Sequence, residues 1–105
     1  IFDITISIDV LEHIPSQDLK WVINEIFSFS KNIVFLNVAC YPAEVIFDNG
    51  KNAHVSIFEP IEWHDMVLEI ARKHNLKIFL VCSHIKNKKI EFISFGFNDD
   101  FKYYN

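Results

Sequence analysis

The chain has very few glycines, since only Gly50 and Gly96 occur among its 105 residues. A loop that cradles phosphate groups needs several closely spaced glycines, because glycine lets the backbone turn tightly and approach the ligand. The sequence therefore excludes a P-loop and a dinucleotide-binding fingerprint.

Positive charge is also scarce. Ten lysines and arginines face fourteen acidic residues, and the formal net charge is -4. The basic cluster formed by Lys86, Lys88 and Lys89 is typical of a solvated turn. Binding to nucleic acid depends on clustered lysines and arginines that neutralise phosphates. The charge pattern therefore argues against a nucleic-acid partner.

Cysteine is rare, and the metal-capable side chains are scattered. Two cysteines, Cys40 and Cys82, are too few for a disulfide framework and fit a reducing cytoplasm. The cysteines and histidines show neither the CxxC nor the HxxxH spacing that zinc sites normally show. A nucleophilic pair of Cys40 and His54 would need an electropositive surrounding for the thiol and an oriented base, and the sequence shows neither. We therefore expect no metal site and no thiol chemistry.

Long apolar runs are absent as well. No stretch approaches the roughly 20 apolar residues that span a bilayer, and no basic-then-apolar leader opens the chain. We therefore expect a cytoplasmic protein without membrane contact. The chain begins at Ile1, inside a predicted strand and without Met, which indicates a fragment or a truncated reading frame.

The chain opens with a β-branched segment. Residues 1–8 alternate isoleucines with polar residues, which predicts a strand. This strand leads directly into Asp9, Glu12 and His13. Ligands of open α/β sheets bind outside the carboxyl ends of the strands, so this segment is a candidate edge of a binding crevice. A buried strand that merely ends in polar residues is the alternative.

Two helices and three more strands are predicted after it. Ser16 is the expected N-cap of the first helix, and the apolar run at 33–38 predicts a strand parallel to the first. Residues 39–58 form a long segment without a clear period, a length typical of functional or disordered loops. Pro60 is expected at the start of the second helix, and Asn75 at its left-handed C-cap.

The last two strands are predicted at 76–83 and 90–97. They must be antiparallel, because the short polar segment between them cannot return a parallel strand. The spacing thus predicts an α/β domain with a four-stranded mixed sheet, two main helices and an antiparallel last strand. Asp99 to Asn105 form a polar and aromatic tail, and the sequence does not predict its place in the fold.

The first fourteen residues carry a resemblance to a known family. Phe2-Asp3 followed by Val10-Leu11-Glu12-His13-Ile14 resembles FDxxxxxxVLEHI, a recurrent signature of the fourth-strand region of class I S-adenosylmethionine-dependent methyltransferases. The resemblance implies that residues 1–105 are the carboxy-terminal half of a Rossmann-like methyltransferase domain. The half with the glycine-rich loop is absent. It also implies the strand order first, second, fourth, third, because the final hairpin strand of that family inserts into the sheet.

The resemblance further implies roles for the residues of this signature. Asp9, Val10 and Leu11 are expected to contact S-adenosylmethionine, and Glu12 and His13 to face the methyl-transfer side, with Glu12 binding the acceptor. His13 is also a candidate proton acceptor, since imidazole titrates near neutrality. The family has no obligatory metal, because holding the methyl group in line with the acceptor supplies most of the rate.

Three further candidates lie in or beside the long segment, where substrate-facing residues of that family often lie. Asn37 and Tyr41 are candidates for binding the methyl acceptor, and His54 for positioning it or accepting its proton. Their structural alternatives are a strand-end cap for Asn37, a packed aromatic for Tyr41 and an exposed or hydrogen-bonded imidazole for His54.

The expected function is therefore that of a fragment of an S-adenosylmethionine-dependent methyltransferase for a small-molecule acceptor. Alone, it should bind the cofactor weakly or not at all and be inactive. The alternative is a non-enzymatic α/β half-domain that serves self-assembly or protein interaction. Either way, we expect a homodimer formed through the first strand or an exposed sheet face, because long apolar edges rarely stay open.

Overall fold

The computed structural model describes residues 1–96 and the backbone of residues 103–104. The chain forms a mixed sheet with two helices, as the spacing predicts. Its elements, in chain order, are β1 (Phe2–Ile8), a 3-10 turn (Leu11–His13), α1 (Ser16–Ser28), β2 (Ser30–Ala39), α2 (Pro60–His74), β3 (Lys77–Lys86), β4 (Lys89–Phe95) and β5 (Tyr103–Tyr104).

The pairing directions agree with the sequence prediction. β1 pairs with β2 in parallel, and β4 is antiparallel to β3. The two-residue strand β5 adds to the far side of β4. The predicted end of the fourth strand at residue 97 lies outside the described residues, as does the predicted tail at 99–105 apart from the β5 backbone.

The predicted strand order is wrong. The strands lie in the order β1-β2-β3-β4-β5, and β2 pairs directly with β3 in parallel. Asn87 and Lys88 both have positive φ and close a tight hairpin, which keeps β4 beside β3 but does not decide its side. The side is decided by burial, because β3 has the longer row of buried side chains, whereas the first residues of β4 are exposed. The more apolar strand therefore takes the inner place.

Both helices cover one face of this sheet. α1 contributes Leu19, Ile23 and Phe27 to the core, and α2 contributes Trp63 and Val67. These side chains pack against alternate, buried residues of the strands, which are Val34, Leu36, Val38, Ile78, Leu80, Cys82, Ile93 and Phe95. The period-2 alternation of the strands and the helical stripes thus meet in one core.

The helix ends follow local rules with one exception. α2 begins with Pro60 behind a capping box of Glu59 and Glu62, and it ends at Asn75 with φ +54°, as predicted. The predicted N-cap of α1 is wrong, because the helix begins at Ser16 itself and Pro15 is the N-cap. The Ser16 hydroxyl instead lies 3.0 Å from the hydroxyl of Ser56.

The other face of the sheet carries no helix in the part of the chain that the structure describes. Its apolar side chains, called the open face below, are Ile4, Ile6, Ile8, Ile33, Phe35, Phe79, Val81, Ile85, Ile90 and Phe92. Those of β1 are 54% to 62% exposed. β1 is also the edge strand, so its outer backbone groups are unpaired within the described residues.

Candidate functional site

The site begins where β1 ends. The Asp9 N–H donates to the carbonyl of Asn37 at the end of β2, 3.1 Å away. Asp9 then takes a left-handed conformation with φ +54°, which aspartate tolerates better than most residues. The chain turns into the Leu11–His13 turn, and the fully buried Leu11 side chain anchors that turn to the core. The carboxyl edge of the parallel pair therefore presents residues 9–13.

The long loop after β2 is shaped by the side chain of Asn52. Its amide nitrogen donates to the carbonyl of Ala43, and its oxygen accepts from the N–H groups of Ala43 and His54, each at 2.9 Å. The bond to the residue two positions on is the usual Asx turn. Asn52 thereby closes the loop and fixes the backbone direction at His54.

Ser56 holds this loop against the segment that follows β1. Its N–H donates to the Glu12 carbonyl at 3.0 Å, and its hydroxyl donates to the Ile14 carbonyl. The side chain is buried, so these bonds form away from water. Two segments that are distant in sequence are thus joined at the carboxyl edge of the sheet.

The joined segments bring His13 and His54 together. Their ring centroids lie 4.8 Å apart with an interplanar angle of 78°. His13 Nδ1 lies 2.8 Å from the Ala53 carbonyl oxygen, and His54 Nδ1 lies 2.6 Å from the Tyr41 carbonyl oxygen. A carbonyl oxygen only accepts, so Nδ1 carries the hydrogen in both rings. Each neutral imidazole therefore keeps a lone pair on Nε2.

Glu12 is the third and most buried residue of the cluster. Its side chain is only 1% exposed, and its Oε2 atom has no hydrogen-bond partner among the described residues. Burial raises the pKa of the Glu12 carboxyl, and the Asp9 carboxylate adds to the rise. Backbone N–H groups and the nearby His54 oppose this rise without cancelling it. One donor atom from each of Glu12, His13 and His54 lies within 4.8 Å of the others.

An open cleft adjoins His54, with a volume of about 570 Å³. The other residues of its wall are Pro15, Ser16, Gln17, Lys51, Asn52 and Val55. A cleft of this size falls within the range of small-molecule sites. The cleft can thus hold a small ligand beside the His54 imidazole.

Comparison with known proteins adds no relative. No significant match was found among family models, curated proteins or solved structures. Within the described residues, neither α1 nor α2 has the length and hydrophobicity to cross a bilayer. Functional assignment therefore rests on the residues of the site and on the signature.

The structure brings together four of the residues singled out in the sequence. Glu12, His13 and His54 form the cluster, and Tyr41 joins it through its carbonyl and through a ring 5.9 Å from that of His54. Both structural alternatives, a hydrogen-bonded His54 and a packed Tyr41, are thus also met.

The other predicted residues are not members of the cluster of Glu12, His13 and His54. Asp9 and Val10 are exposed at the edge of the sheet, whereas Leu11 is wholly buried in the core. Asn37 contributes its backbone carbonyl, and its side chain belongs to the face that carries no helix. Asn37 therefore acts as the strand-end anchor of Asp9.

Residues that sequence reasoning missed hold the site in place. Asn52 and Ser56 fix the loop, and the Ala53 carbonyl orients His13. Lys51 and Gln17 line the cleft. The one signal available in the sequence is the Asn-Ala-His run, because asparagine commonly bonds the backbone two residues on.

Proposed function

We propose that the chain is the carboxy-terminal part of a class I S-adenosylmethionine-dependent methyltransferase domain that acts on a small molecule. The observation that carries the proposal is the His13–His54 pair beside a cleft, at the carboxyl edge that also bears the FDxxxxxxVLEHI signature. Open α/β sheets bind ligands at this edge. The parallel pairing of β1 and β2 agrees with the resemblance, whereas the order of β3 and β4 does not.

The residues at the edge fit the cofactor in part. S-adenosylmethionine supplies a methyl group on a sulfonium sulfur. Asp9 and Val10 are exposed and would contact it, while the buried Leu11 supports their backbone instead of touching the ligand. We place the acceptor in the cleft beside His54, where Tyr41 and Glu12 flank the imidazole.

The imidazoles supply the proton chemistry. An acceptor hydroxyl or amine loses its proton as it is methylated, and a positioned base accelerates such a step by about 10²–10⁴-fold. The Nε2 atoms of His13 and His54 carry the lone pairs that would accept this proton, because both Nδ1 atoms point at carbonyl oxygens. The rest of the rate would come from holding the reactants in line.

The test is to follow the reading frame upstream and to express the full-length protein that it encodes. We expect a strand and a glycine-rich turn upstream, and transfer of labelled methyl from S-adenosylmethionine to a small molecule. His13→Ala or His54→Ala should slow this transfer by about 10²–10⁴-fold, whereas His84→Ala should not. A frame without a glycine-rich turn, or a full-length protein that neither binds nor consumes S-adenosylmethionine, would overturn the proposal.

A second candidate function is self-assembly, which the open face and the free edge of β1 favour. The occupant we propose is a second copy of this chain, related by a two-fold axis. Among the described residues, nothing pairs with the outer backbone groups of the edge strand, which are flanked by Ile4, Ile6 and Ile8, and the same side chains continue into the open face. One contact would therefore cover both the edge and the face.

A further inference from the structure

We propose that Glu12, His13 and His54 bind one divalent first-row transition cation such as Zn²⁺, Mn²⁺, Fe²⁺ or Co²⁺. The ligands would be a carboxylate oxygen of Glu12 and the Nε2 atoms of both histidines. This inference goes beyond the proposed function, in which the same two histidines accept a proton and no metal is obligatory. It also departs from the sequence prediction of no metal site.

The first support is the way both histidines are held. Histidines that bind metals almost always donate their other ring N–H to a carbonyl, a carboxylate or water, which fixes the tautomer and the ring orientation. His13 and His54 each have Nδ1 within hydrogen-bond distance of a backbone carbonyl, at 2.8 and 2.6 Å. Both Nε2 lone pairs are left for a cation, and the carbonyl partners are fixed by the loop.

The second, independent support is the buried Glu12 carboxyl. Its Oε2 atom has no hydrogen-bond partner among the described residues, although the side chain is 1% exposed. Buried carboxylates are normally paired or coordinate metals, since burial without a partner is costly. The Asp9 carboxylate lies near enough to act on Glu12 electrostatically, which adds negative charge beside the cluster. A cation would supply the missing partner.

The geometry requires a modest adjustment. A Glu12 carboxylate oxygen and one ring nitrogen of each histidine lie within 4.8 Å of one another. Zinc–nitrogen bonds of about 2.0–2.1 Å at a tetrahedral angle place two donors roughly 3.4 Å apart. The adjustment falls on His13, whose side chain is exposed, because His54 and Glu12 are more enclosed. A two-histidine, one-carboxylate set suits transition metals better than Mg²⁺ or Ca²⁺, and it leaves coordination positions open.

The cluster of Glu12, His13 and His54 could not be predicted from the spacing of these residues in the sequence. Glu12 and His13 are adjacent, whereas His54 comes from the far end of the loop, so no short metal-binding motif appears. The bonds of Ser56 to the 12–14 segment bring the two parts together. A bound cation and a proton acceptor would use the same Nε2 atoms, so metal titration also distinguishes the two roles.

The experiment uses the untagged chain after treatment with a chelator and desalting. Co²⁺ is titrated while the visible absorption is recorded, and Zn²⁺ binding is measured by calorimetry. We expect one ion per chain. Losing a residue that only supports a metal ligand lowers metal affinity by about 10–100-fold. His54→Ala and Glu12→Gln each remove a ligand itself, so each should weaken binding by more than this. His84→Ala is the matched control, since it removes a histidine outside the cluster and should leave affinity unchanged.

Nuclear magnetic resonance of the unmodified chain keeps the test decisive if a variant fails to fold. Zn²⁺ should shift the ring-proton signals of His13 and His54 and leave those of His74 in place. The proposal is overturned if the unmodified chain binds no Zn²⁺ or Co²⁺. It is equally overturned if His54→Ala binds as tightly as the unmodified chain, or if the ion shifts histidines other than this pair.

Discussion

The imidazole rings of His13 and His54 meet edge to face, with centroids 4.8 Å apart, although His13 lies in the turn after β1 and His54 in the long loop after β2. No local structure brings the two rings together, because they belong to segments that are distant in sequence. The contact exists because the Ala53 carbonyl accepts from His13 and because Ser56 ties the loop to the segment after β1. The integrity of the site therefore depends on a few bonds between distant segments.

Ser56→Ala should destabilise the protein by about 1–3 kcal/mol, because the Ile14 carbonyl loses the hydroxyl donor that the buried Ser56 supplies. Urea unfolding measures the free energy of unfolding of both proteins. Ser28→Ala is the control, since the Ser28 hydroxyl bonds only within the exposed surface of α1 and its loss should change stability by less than about 0.5 kcal/mol. Equal effects of the two substitutions would show that Ser56 does not hold the loop.

The two cysteines should differ in reactivity. A hydrogen bond from the Cys82 thiol to Cys40, together with burial, raises the pKa of Cys82 far above its usual range, so its thiolate is suppressed. Cys40 is half-buried, whereas Cys82 is fully buried. We expect iodoacetamide to modify at most one thiol of the native protein, and none in Cys40→Ser, with both thiols reacting after unfolding. Mass spectrometry that found Cys82 alkylated as fast as Cys40 would contradict this.

Ile6→Lys should disrupt self-association and make the chain a monomer. The charge falls on the edge strand, at a side chain that is 62% exposed on the open face. Lys88→Ala, in the far hairpin turn, is the control and should assemble like the unmodified chain. Light scattering at micromolar concentration gives the masses. If the unmodified chain has a stable monomer mass, the second copy is not the occupant of the open face.

S-adenosylmethionine should bind this chain weakly or not at all. The glycine-rich turn and the carboxylate that grips the cofactor ribose in the resembled family have no counterpart in these residues. Charge-assisted hydrogen bonds are worth roughly 1.5–3 kcal/mol each, so losing two or three should cost a hundredfold or more in affinity. Titration calorimetry provides the measurement. A dissociation constant in the low micromolar range would mean that these residues suffice for binding.

Local features of the fold could be predicted from the sequence. Asn75 was expected at a left-handed cap because asparagine tolerates positive φ, and the short segment after β3 required an antiparallel partner. The side of β3 on which β4 pairs could not be predicted, since a hairpin permits both sides. The resemblance supplied the wrong one.

The candidate site was predictable only by its position in the chain. His13 follows a strand and His54 lies in a long loop, which made both candidates. Their contact depends on Ser56 and on the Ala53 carbonyl, and no sequence pattern predicts hydrogen bonds between residues so far apart in the chain. Glu12 was expected to face the acceptor, yet its burial follows from the tight turn anchored by Leu11.

Both proposals require that the segment after β1 and the long loop form one site around His13 and His54. Nuclear Overhauser spectroscopy on the assigned chain tests it most directly, without any substitution. We expect cross-peaks between the ring protons of His13 and His54, and none between His13 and His84, which lies near Glu91 on β4. A folded protein that shows no cross-peak between the His13 and His54 rings would contradict the claim.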